Sequence, residues 1–434
     1  MPDVARHPGE ILAQWAWVEP AAWTLRMLTA LERGVKGGTW FSLIDKVYAP
    51  DNLQAAFARV KANRGSAGVD HVTVERFEAH LDEDLDRLYW SLRDGTYRPQ
   101  AIRRAWIPKP GSREKRPLGI PTVRDRVVQA ALRNVLEPIF ERDFAEHSYG
   151  FRPNRGAKDA LRRVDGLLRA GYTWVVDADL KSYFDTIPRD RLLERVRSRV
   201  TDGRVLALVE AYLRQGVMDG TESWTPTAGT PQGAVISPLL SNLYLDPLDH
   251  AMAERGFEMT RYADDFVVQC RSEAEAREAL AAVAAWTAQA GLLLHPDKTR
   301  VVDATRKGGG FDFLGYHFEA GRRWPRKKSL GKLKDAIRAK THRANGKSLS
   351  QTVTDVNRTL RGWFEYFKHS YPTWLRDLDK WVRMRMRSIL RKRSGRRGRG
   401  RGTDHQRWPN AFFAAQGLFS LLAARRALRQ PSLR

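Results

Sequence analysis

The sequence has 434 residues, 42% of them hydrophobic and 29% charged, which is enough chain to bury more than one core at roughly one domain per 150 residues. Its single cysteine, Cys270, excludes an internal disulfide framework and a cysteine-rich zinc module. The N-terminus lacks the pattern of a secretory signal, and no run of about eighteen uncharged apolar residues occurs. We therefore expect a soluble cytoplasmic protein of two or three domains.

The positive charge is concentrated in the last quarter of the chain. The formal net charge is +25; residues 321–434 contain 31 Lys or Arg and 6 Asp or Glu, whereas residues 1–320 contain 44 of each kind. A neutral body with a cationic quarter indicates a polyanionic partner that binds there. Membrane binding is the alternative, and it is disfavoured because the basic stretch has no matching apolar face after Arg391. The pattern favours nucleic acid.

The first half of the chain predicts helices, a basic loop and one strand. Residues 1–45 are rich in Trp and indicate short helices that pack as an N-terminal extension. Helical periodicity continues over residues 52–63, 74–92 and 123–140. A loop rich in Pro, Gly and basic residues separates two β-like runs, residues 104–111 and 115–121. The run 171–180 is β-branched and aromatic, which predicts a strand with Asp177 and Asp179 on one face.

The second half predicts a hairpin, a small sheet and then helices. Two strand-like runs, 257–262 and 266–270, flank Ala263-Asp264-Asp265 and outline a β-hairpin with an acidic tip. Strands and helices do not simply alternate, so the pattern predicts an α+β fold with an antiparallel sheet. Helical periodicity dominates beyond Trp324. Residues 394–407 are of low complexity, and we expect them to be disordered without a partner.

Two adjacent aspartates at a hairpin tip require a physical explanation. Like charges about 4 Å apart repel by about 4 kcal/mol at an effective dielectric constant near 20, and a bound cation removes that cost. Carboxylate oxygens select Mg²⁺ or Mn²⁺, and phosphoryl transfer uses two such ions. Asp179, at the end of its strand, is the natural third carboxylate. Taken alone, an Asp-Asp pair in a turn is more often structural, so the surrounding motifs decide.

Those motifs follow one another along most of the chain. They are Asn63-Arg-Gly-Ser-Ala-Gly-Val-Asp70, Ile107-Pro-Lys-Pro-Gly111 with Arg116-Pro-Leu-Gly-Ile-Pro121, Tyr149-Gly-Phe-Arg-Pro-Asn154, Asp177-Ala-Asp-Leu-Lys-Ser-Tyr-Phe-Asp185, Thr230-Pro-Gln-Gly233, Arg261-Tyr-Ala-Asp-Asp-Phe266, His295-Pro-Asp-Lys298, Phe313-Leu-Gly-Tyr316 and Gly362-Trp-Phe-Glu-Tyr-Phe367. Across nearly its whole length the chain resembles the bacterial group II intron-encoded reverse transcriptases and maturases, in their compact form without an endonuclease domain. The resemblance implies a right-hand polymerase with fingers, palm and an α-helical thumb.

The resemblance also implies a role for each residue in the motifs. Asp179, Asp264 and Asp265 would be catalytic and would hold two Mg²⁺ ions, or Mn²⁺ as a substitute, together with the backbone carbonyl of Leu180. Asp177 fits the family spacing less well and is expected to be a supporting carboxylate. The nucleotide-binding residues would be Lys109 and Arg116 on the triphosphate, Phe184 as the gate that excludes a ribose 2′-hydroxyl, Gln232 beside the nucleotide, and Lys298 as a proton donor to pyrophosphate.

Basic residues of the helical region and of the tail are the expected nucleic-acid contacts. Trp363, Phe364 and Phe367 lie on one helical stripe and are expected to pack in a core rather than stack on bases. The residues assigned to nucleic-acid binding are Arg358, Arg361, Lys368, Arg383, Arg387, Arg391, Arg393, Arg396, Arg397, Arg399 and Arg401.

The domain prediction places fingers and palm in residues 46–320, a helical thumb or maturase domain in 321–393 and a basic nucleic-acid-binding region in 394–434. The expected partners are a group II intron RNA, a template–primer duplex, target DNA and deoxynucleotides, with the protein associated with the nucleoid when it is on target DNA. Two other functions stay open: a reverse transcriptase domesticated for anti-phage defence or DNA repair, and an RNA-binding splicing factor with little polymerase activity. The sequence does not indicate an oligomeric state.

Overall fold

A computed structural model describes residues 7–35, 37–108, 115–344, 346–400 and 402–428. The chain forms two compact units. The first contains most of the chain up to Val301, and the second contains residues 168–175 and the chain from Val302 onward. Mixed helices and antiparallel strands confirm the predicted α+β class. Among the described residues, no helix is both long enough and apolar enough to span a lipid bilayer.

Helices make up about half of the chain before Val301. They are α1 (Pro8–Gln14), α2 (Leu25–Arg33), α3 (Ile44–Tyr48), α4 (Pro50–Ala62), α5 (Val74–Ala79), α6 (Leu81–Arg93), α7 (Val123–Glu141), α8 (Ala157–Arg169), α9 (Tyr183–Thr186), α10 (Arg189–Arg197), α11 (Gly203–Leu213), α12 (Ser237–Glu254) and α13 (Glu273–Gln289). Helix α7 begins where the Thr122 hydroxyl accepts a hydrogen bond from the Asp125 amide at 3.1 Å, and nearly all of its residues are buried. It is therefore the central helix of this unit.

Two four-stranded sheets position the predicted motifs. The first has the order β2-β1-β4-β5 and the second the order β6-β7-β3-β8. Their strands are β1 (Ile102–Pro108), β2 (Lys115–Ile120), β3 (Trp174–Asp179), β4 (Val217–Asp219), β5 (Glu222–Trp224), β6 (Glu258–Tyr262), β7 (Asp265–Cys270) and β8 (Arg300–Asp303). Central strands β3 and β7 are largely buried, as their β-branched residues predict.

The second unit combines a small antiparallel sheet, of order β11-β10-β9, with helices. Its elements are β9 (Phe311–Phe313), β10 (Tyr316–Glu319), β11 (Arg322–Pro325), α14 (Lys327–Lys340), α15 (Leu349–Phe367), α16 (Pro372–Arg393), α17 (Asp404–Arg407), α18 (Asn410–Ala415) and α19 (Leu421–Ala427). Phe364 and Phe367 are buried, and Trp363 packs against the core that contains Phe364, in agreement with the predicted stripe.

The segment after Arg393 is more ordered than its composition predicts. Phe413 and Leu421 are 1% and 0% exposed and belong to the same core as α15 and α16. The carboxylate of Asp379 on α16 accepts hydrogen bonds from the amides of Leu421 and Leu422, at 2.9 and 3.1 Å, and so caps α19. Asp404, inside the segment expected to be disordered, is fully buried. That expectation was wrong because packing against α16 orders a segment whose own composition does not.

Candidate active site

The hairpin formed by β6 and β7 presents Asp264 at its tip. Arg261 pairs with Phe266 and Tyr262 pairs with Asp265, which leaves Ala263 and Asp264 as a two-residue turn. Ala263 has φ +59°, in the left-handed region that a residue with a side chain rarely adopts. Asp265 is the first residue of β7 and is partly buried. The structure thus confirms the predicted hairpin and its acidic tip.

Asp177 and Asp179 lie on one face of β3, as predicted, and each faces a basic residue. The carboxylate of Asp177 pairs with Arg300 at 3.3 Å. The Oδ2 atom of Asp179 accepts a hydrogen bond from Nζ of Lys298 at 2.5 Å. Lys298 is therefore ion-paired with one of the carboxylates expected to bind metal, and its positive charge offsets the negative charge of that carboxylate.

Asp264 is partly buried, so its charge is only partly solvated. Burial raises the pKa of its carboxyl group above the ordinary value of 3.8, and the negative charge of Asp179 raises this pKa further. The hydrogen bond to the backbone and the positive charges of Arg116 and Arg261 oppose that shift. Asp179 and Asp264, which are far apart in sequence, are therefore electrostatic neighbours, as the metal-site hypothesis requires.

The chemistry of the donors fits a divalent cation, which would relieve the cost of burying Asp264 beside Asp179. In the described part of the chain, however, no three His, Cys, Asp or Glu side chains are grouped closely enough to hold a metal ion as they stand. Asp179 is the last residue of β3, and Asp265 is the first residue of the neighbouring strand β7, directly after Asp264. A site with all three carboxylates requires a side-chain rearrangement.

Leu180, the predicted carbonyl ligand, follows Asp179 and lies in an isolated β-bridge. Leu180 faces Leu294 in an antiparallel bridge, with flanking hydrogen bonds from the Lys181 amide to the Leu293 carbonyl at 2.8 Å and from the His295 amide to the Asp179 carbonyl at 2.7 Å. In a pair of this kind the two facing residues do not bond to each other. The pairing therefore does not use the Leu180 carbonyl.

Phe184 and Gln232 line one cavity of about 340 Å³ beside the first sheet. The Phe184 carbonyl accepts a hydrogen bond from the Thr230 amide at 2.8 Å, and the Gln232 carbonyl accepts one from the Gly119 amide at 2.7 Å. Gly233 has φ +108°, and a Cβ atom there would lie 2.4 Å from the Gly119 carbonyl oxygen. The Thr-Pro-Gln-Gly loop is thus fixed against both the Phe184 turn and strand β2.

The same cavity contains two side chains that sequence reasoning missed. Arg104 and Asp185 both line it. Burial raises the pKa of the Asp185 carboxyl group, and the charge of Arg104 partly offsets the increase. Asp185 is the last residue of the motif that begins at Asp177 and directly follows Phe184, so its position in the sequence could have identified it. Arg104 carried no such signal, because the pairing of β1 with β2, which sets Arg104 opposite Gly119, is a tertiary feature.

One predicted triphosphate contact, Arg116, lies on an edge strand of the first sheet. Arg116 is an exposed residue of β2, paired with Ile107 on β1. Its charge acts on Asp264, so it lies within electrostatic range of the hairpin tip. The prediction for Lys109 lies outside the described residues.

Comparisons with known proteins agree with this geometry. Residues 107–318 match the family model "Reverse transcriptase (RNA-dependent DNA polymerase)", and residues 330–408 match "Group II intron, maturase-specific domain". Protein YkfC of Escherichia coli is 32% identical over 346 residues, which cover 70% of this chain and 86% of YkfC. The chain belongs to the family of group II intron-encoded reverse transcriptases and maturases. Its class is therefore RNA-directed DNA polymerase, with a maturase domain.

Other relatives match over shorter lengths. The group II intron-encoded protein LtrA of Lactococcus lactis is 36% identical over 202 residues, which are 46% of this chain and 33% of LtrA. The chain thus spans about a third of LtrA in that match. A chain of the solved partial Cas6-RT-Cas1–Cas2 complex aligns with a TM-score of 0.38 at 26% identity, over 57% of this chain and 41% of that one.

Membership of the family implies divalent metal ions and nucleic-acid partners, and most of the predicted basic contacts have suitable exposure. The exposed residues are Arg358, Arg361, Arg393, Arg396, Arg397 and Arg399. Those that are partly buried are Lys368, Arg383 and Arg391. Arg391 pairs with the buried Asp404 at 2.5 Å. The prediction for Arg401 lies outside the described residues.

Arg387 is a correction to the predicted set. Its side chain is buried, with the residue 3% exposed. It donates hydrogen bonds to the Trp408 carbonyl and to Oδ1 of Asn410, both at 2.9 Å. Arg387 therefore fastens the C-terminal segment to α16 and is not available to nucleic acid.

Proposed function

We propose that this reverse transcriptase binds a group II intron RNA, assists its splicing and copies it into DNA during retrohoming. In this proposal residues 46–320 form the fingers and palm, residues 321–393 the thumb or maturase domain and residues 394–434 a basic nucleic-acid-binding region, after an N-terminal extension of residues 1–45. The observation that carries the polymerase activity is that β3, which ends at Asp179, lies beside β7, which begins directly after Asp264, so that one sheet brings together carboxylates from separate motifs.

The proposed metal ligands are Asp179, Asp264, Asp265 and the carbonyl of Leu180, with two Mg²⁺ ions and Mn²⁺ as a substitute. Once bound, such ions activate the primer 3′-hydroxyl and stabilise charge on the departing pyrophosphate. By position in the motif, Asp264 at the tip is proposed as the firmer ligand, with Asp265 ligating less directly.

The remaining residues bind and orient the incoming nucleotide. Arg116 and Lys109 would hold the triphosphate, a forked guanidinium and a point charge respectively. Phe184 would exclude the 2′-hydroxyl, and Gln232, on the same cavity wall, would border the sugar or the templating pair. Lys298, whose Nζ atom donates a hydrogen bond to Asp179, would donate a proton to pyrophosphate.

The partner is best identified from RNA that stays with the protein. We expect the full chain, purified under native conditions from its own host, to carry one enriched RNA whose sequence folds into group II intron domains. The Asp264→Asn variant, which changes only the catalytic site, should carry the same RNA. Recovery of no enriched RNA, or of unrelated RNAs in proportion to their abundance, would contradict the maturase assignment. It would leave polymerase activity to be judged separately by primer extension.

A further inference from the structure

The turn that carries Asp264 is hydrogen-bonded to the buried guanidinium of Arg261. Arg261 on β6 is fully buried, with 0% of its surface exposed. Its Nε atom lies 2.8 and 2.9 Å from the two carboxylate oxygens of Asp249, and its Nη2 atom lies 2.5 Å from Oδ2. Asp249 on α12 is itself 6% exposed. The two carboxylate oxygens thus hold the guanidinium in one orientation.

The remaining donor of Arg261 points at the turn. Nη1 donates to the Ala263 carbonyl and to Oδ1 of Asn242, both at 3.0 Å. Asn242 and Asp249 are seven residues apart on α12, which places them on one face of that helix. Because the Ala263 carbonyl belongs to the peptide unit that contains the Asp264 amide, this hydrogen bond fixes the plane from which Asp264 extends.

A second element closes the turn from another side. The Gly150 carbonyl accepts a hydrogen bond from Nδ2 of Asn242 at 2.7 Å. The Tyr149 amide donates to the Arg261 carbonyl at 2.9 Å. A Cβ atom at Gly150 would lie 2.2 Å from the Ala263 amide nitrogen, so this position has no room for a side chain. The left-handed φ of Ala263 is thus held by contacts on both sides.

We infer that Arg261 is a positioning residue for Asp264, and that Arg261 and Gly150 together set the geometry of the metal-binding turn. The inference rests on the proposed role of Asp264 as a metal ligand. Arg261 is fully buried, and it acts on the turn through the Ala263 carbonyl. It therefore sets the affinity of the site for divalent cations, as groups that hydrogen-bond to metal ligands commonly do by fixing their orientation.

The experiment measures Mn²⁺ binding directly, by the loss of the free-ion electron paramagnetic resonance signal. It uses the full chain bound to an RNA template and a chain-terminated DNA primer, so that no turnover occurs. Arg261→Lys keeps a positive charge beside Asp249 and loses the fork, and we expect it to weaken Mn²⁺ binding by about 10-fold or more. Gly150→Ala pushes on the turn and leaves the Arg261–Asp249 pair intact, so it should weaken binding similarly.

Arg387→Lys is the matched control. It also replaces a buried guanidinium, but that guanidinium donates to the Trp408 carbonyl and to Oδ1 of Asn410, in a different part of the sequence from the Asp264 turn. It should lower the melting temperature and leave Mn²⁺ affinity unchanged. If Arg261→Lys fails to fold, the loss of affinity in Gly150→Ala tests the positioning of the turn. Wild-type affinity in Gly150→Ala and in folded Arg261→Lys would overturn the inference, provided that Asp264→Asn loses affinity. Wild-type affinity in Asp264→Asn would instead refute the metal assignment itself.

Discussion

The Nζ atom of Lys298 lies 2.5 Å from Oδ2 of Asp179, so the proposed proton donor is ion-paired with a proposed metal ligand. The Lys298 side chain is 60% exposed and that of Asp179 is 38% exposed, which makes this a surface pair of modest strength. The ammonium group and a divalent cation are alternatives at the same carboxylate. Lys298 is therefore expected to release Asp179 when metal binds and to be free to serve the leaving group.

Lys298→Gln tests this competition. An exposed pair contributes about 0.2–1 kcal/mol, so its removal should lower the Mg²⁺ concentration for half-maximal primer extension by up to about 5-fold. The maximal rate should fall at the same time, because the proton donor is lost. Lys298→Arg, which keeps the charge, should retain the wild-type Mg²⁺ requirement. An unchanged or raised Mg²⁺ requirement in Lys298→Gln would contradict the competition.

Asp264 should make the stability of the metal-free protein depend on pH. Its folded-state pKa is raised by burial and by Asp179, so the folded state holds the proton more tightly than the unfolded state. Stability contributed by the protonated carboxyl is present at low pH and is lost as the pH rises through the folded pKa. In EDTA at neutral pH, Asp264→Asn should therefore melt at a higher temperature than the wild type.

Thermal melts at several pH values check this sign. The advantage of Asp264→Asn should shrink as the pH falls toward the ordinary carboxyl value of 3.8. Saturating Mg²⁺ should reverse it at neutral pH, because only the wild type gains stability from the ion. A variant that is less stable than the wild type in EDTA at neutral pH would contradict the burial of an ionised carboxylate.

Phe184→Ala should admit ribonucleotides. Removal of the ring opens the cavity that Phe184 lines together with Gln232, and the ratio of kcat/KM for deoxynucleotides over ribonucleotides should fall by about 10-fold or more. Tyr183→Phe is the neighbouring control, since the Tyr183 hydroxyl donates to the Ser241 carbonyl in the core at 2.7 Å and does not line the cavity. Unchanged selectivity in Phe184→Ala would show that another residue is the gate.

The exposed arginines of the C-terminal region should control the salt dependence of RNA binding. Replacing Arg396, Arg397 and Arg399 with Gln should reduce the slope of log affinity against log salt by up to about 2–3, at about 0.7–0.9 for each lost phosphate contact. The buried Arg387 provides the contrast, since Arg387→Gln should lower the melting temperature and leave the slope of log affinity against log salt nearly unchanged. An unaltered slope in the triple variant would remove this region from the RNA interface.

Local sequence patterns predicted the Asp264 hairpin and strand β3, because alternating apolar residues and turn residues lie within a few positions of one another. The same reasoning failed at Arg387, whose burial depends on residues 404–410, which fold back onto α16. It also failed to identify Arg261 as a support, although Arg261 stood within a recognised motif. Its partner Asp249 lies on a different element, and only the tertiary arrangement of α12 and β6 pairs them. That Arg261 lies behind the metal-binding turn is a consequence of tertiary packing, which the local sequence does not encode.

Primer extension by Asp264→Asn on an RNA template tests the central claim most directly. The substitution keeps the size of the side chain and removes the charge that is proposed to bind metal. We predict loss of DNA synthesis in Mg²⁺ and in Mn²⁺, with RNA binding and secondary structure at wild-type levels. DNA synthesis at the wild-type rate by a folded Asp264→Asn protein would contradict the assignment of the hairpin tip as the catalytic metal site.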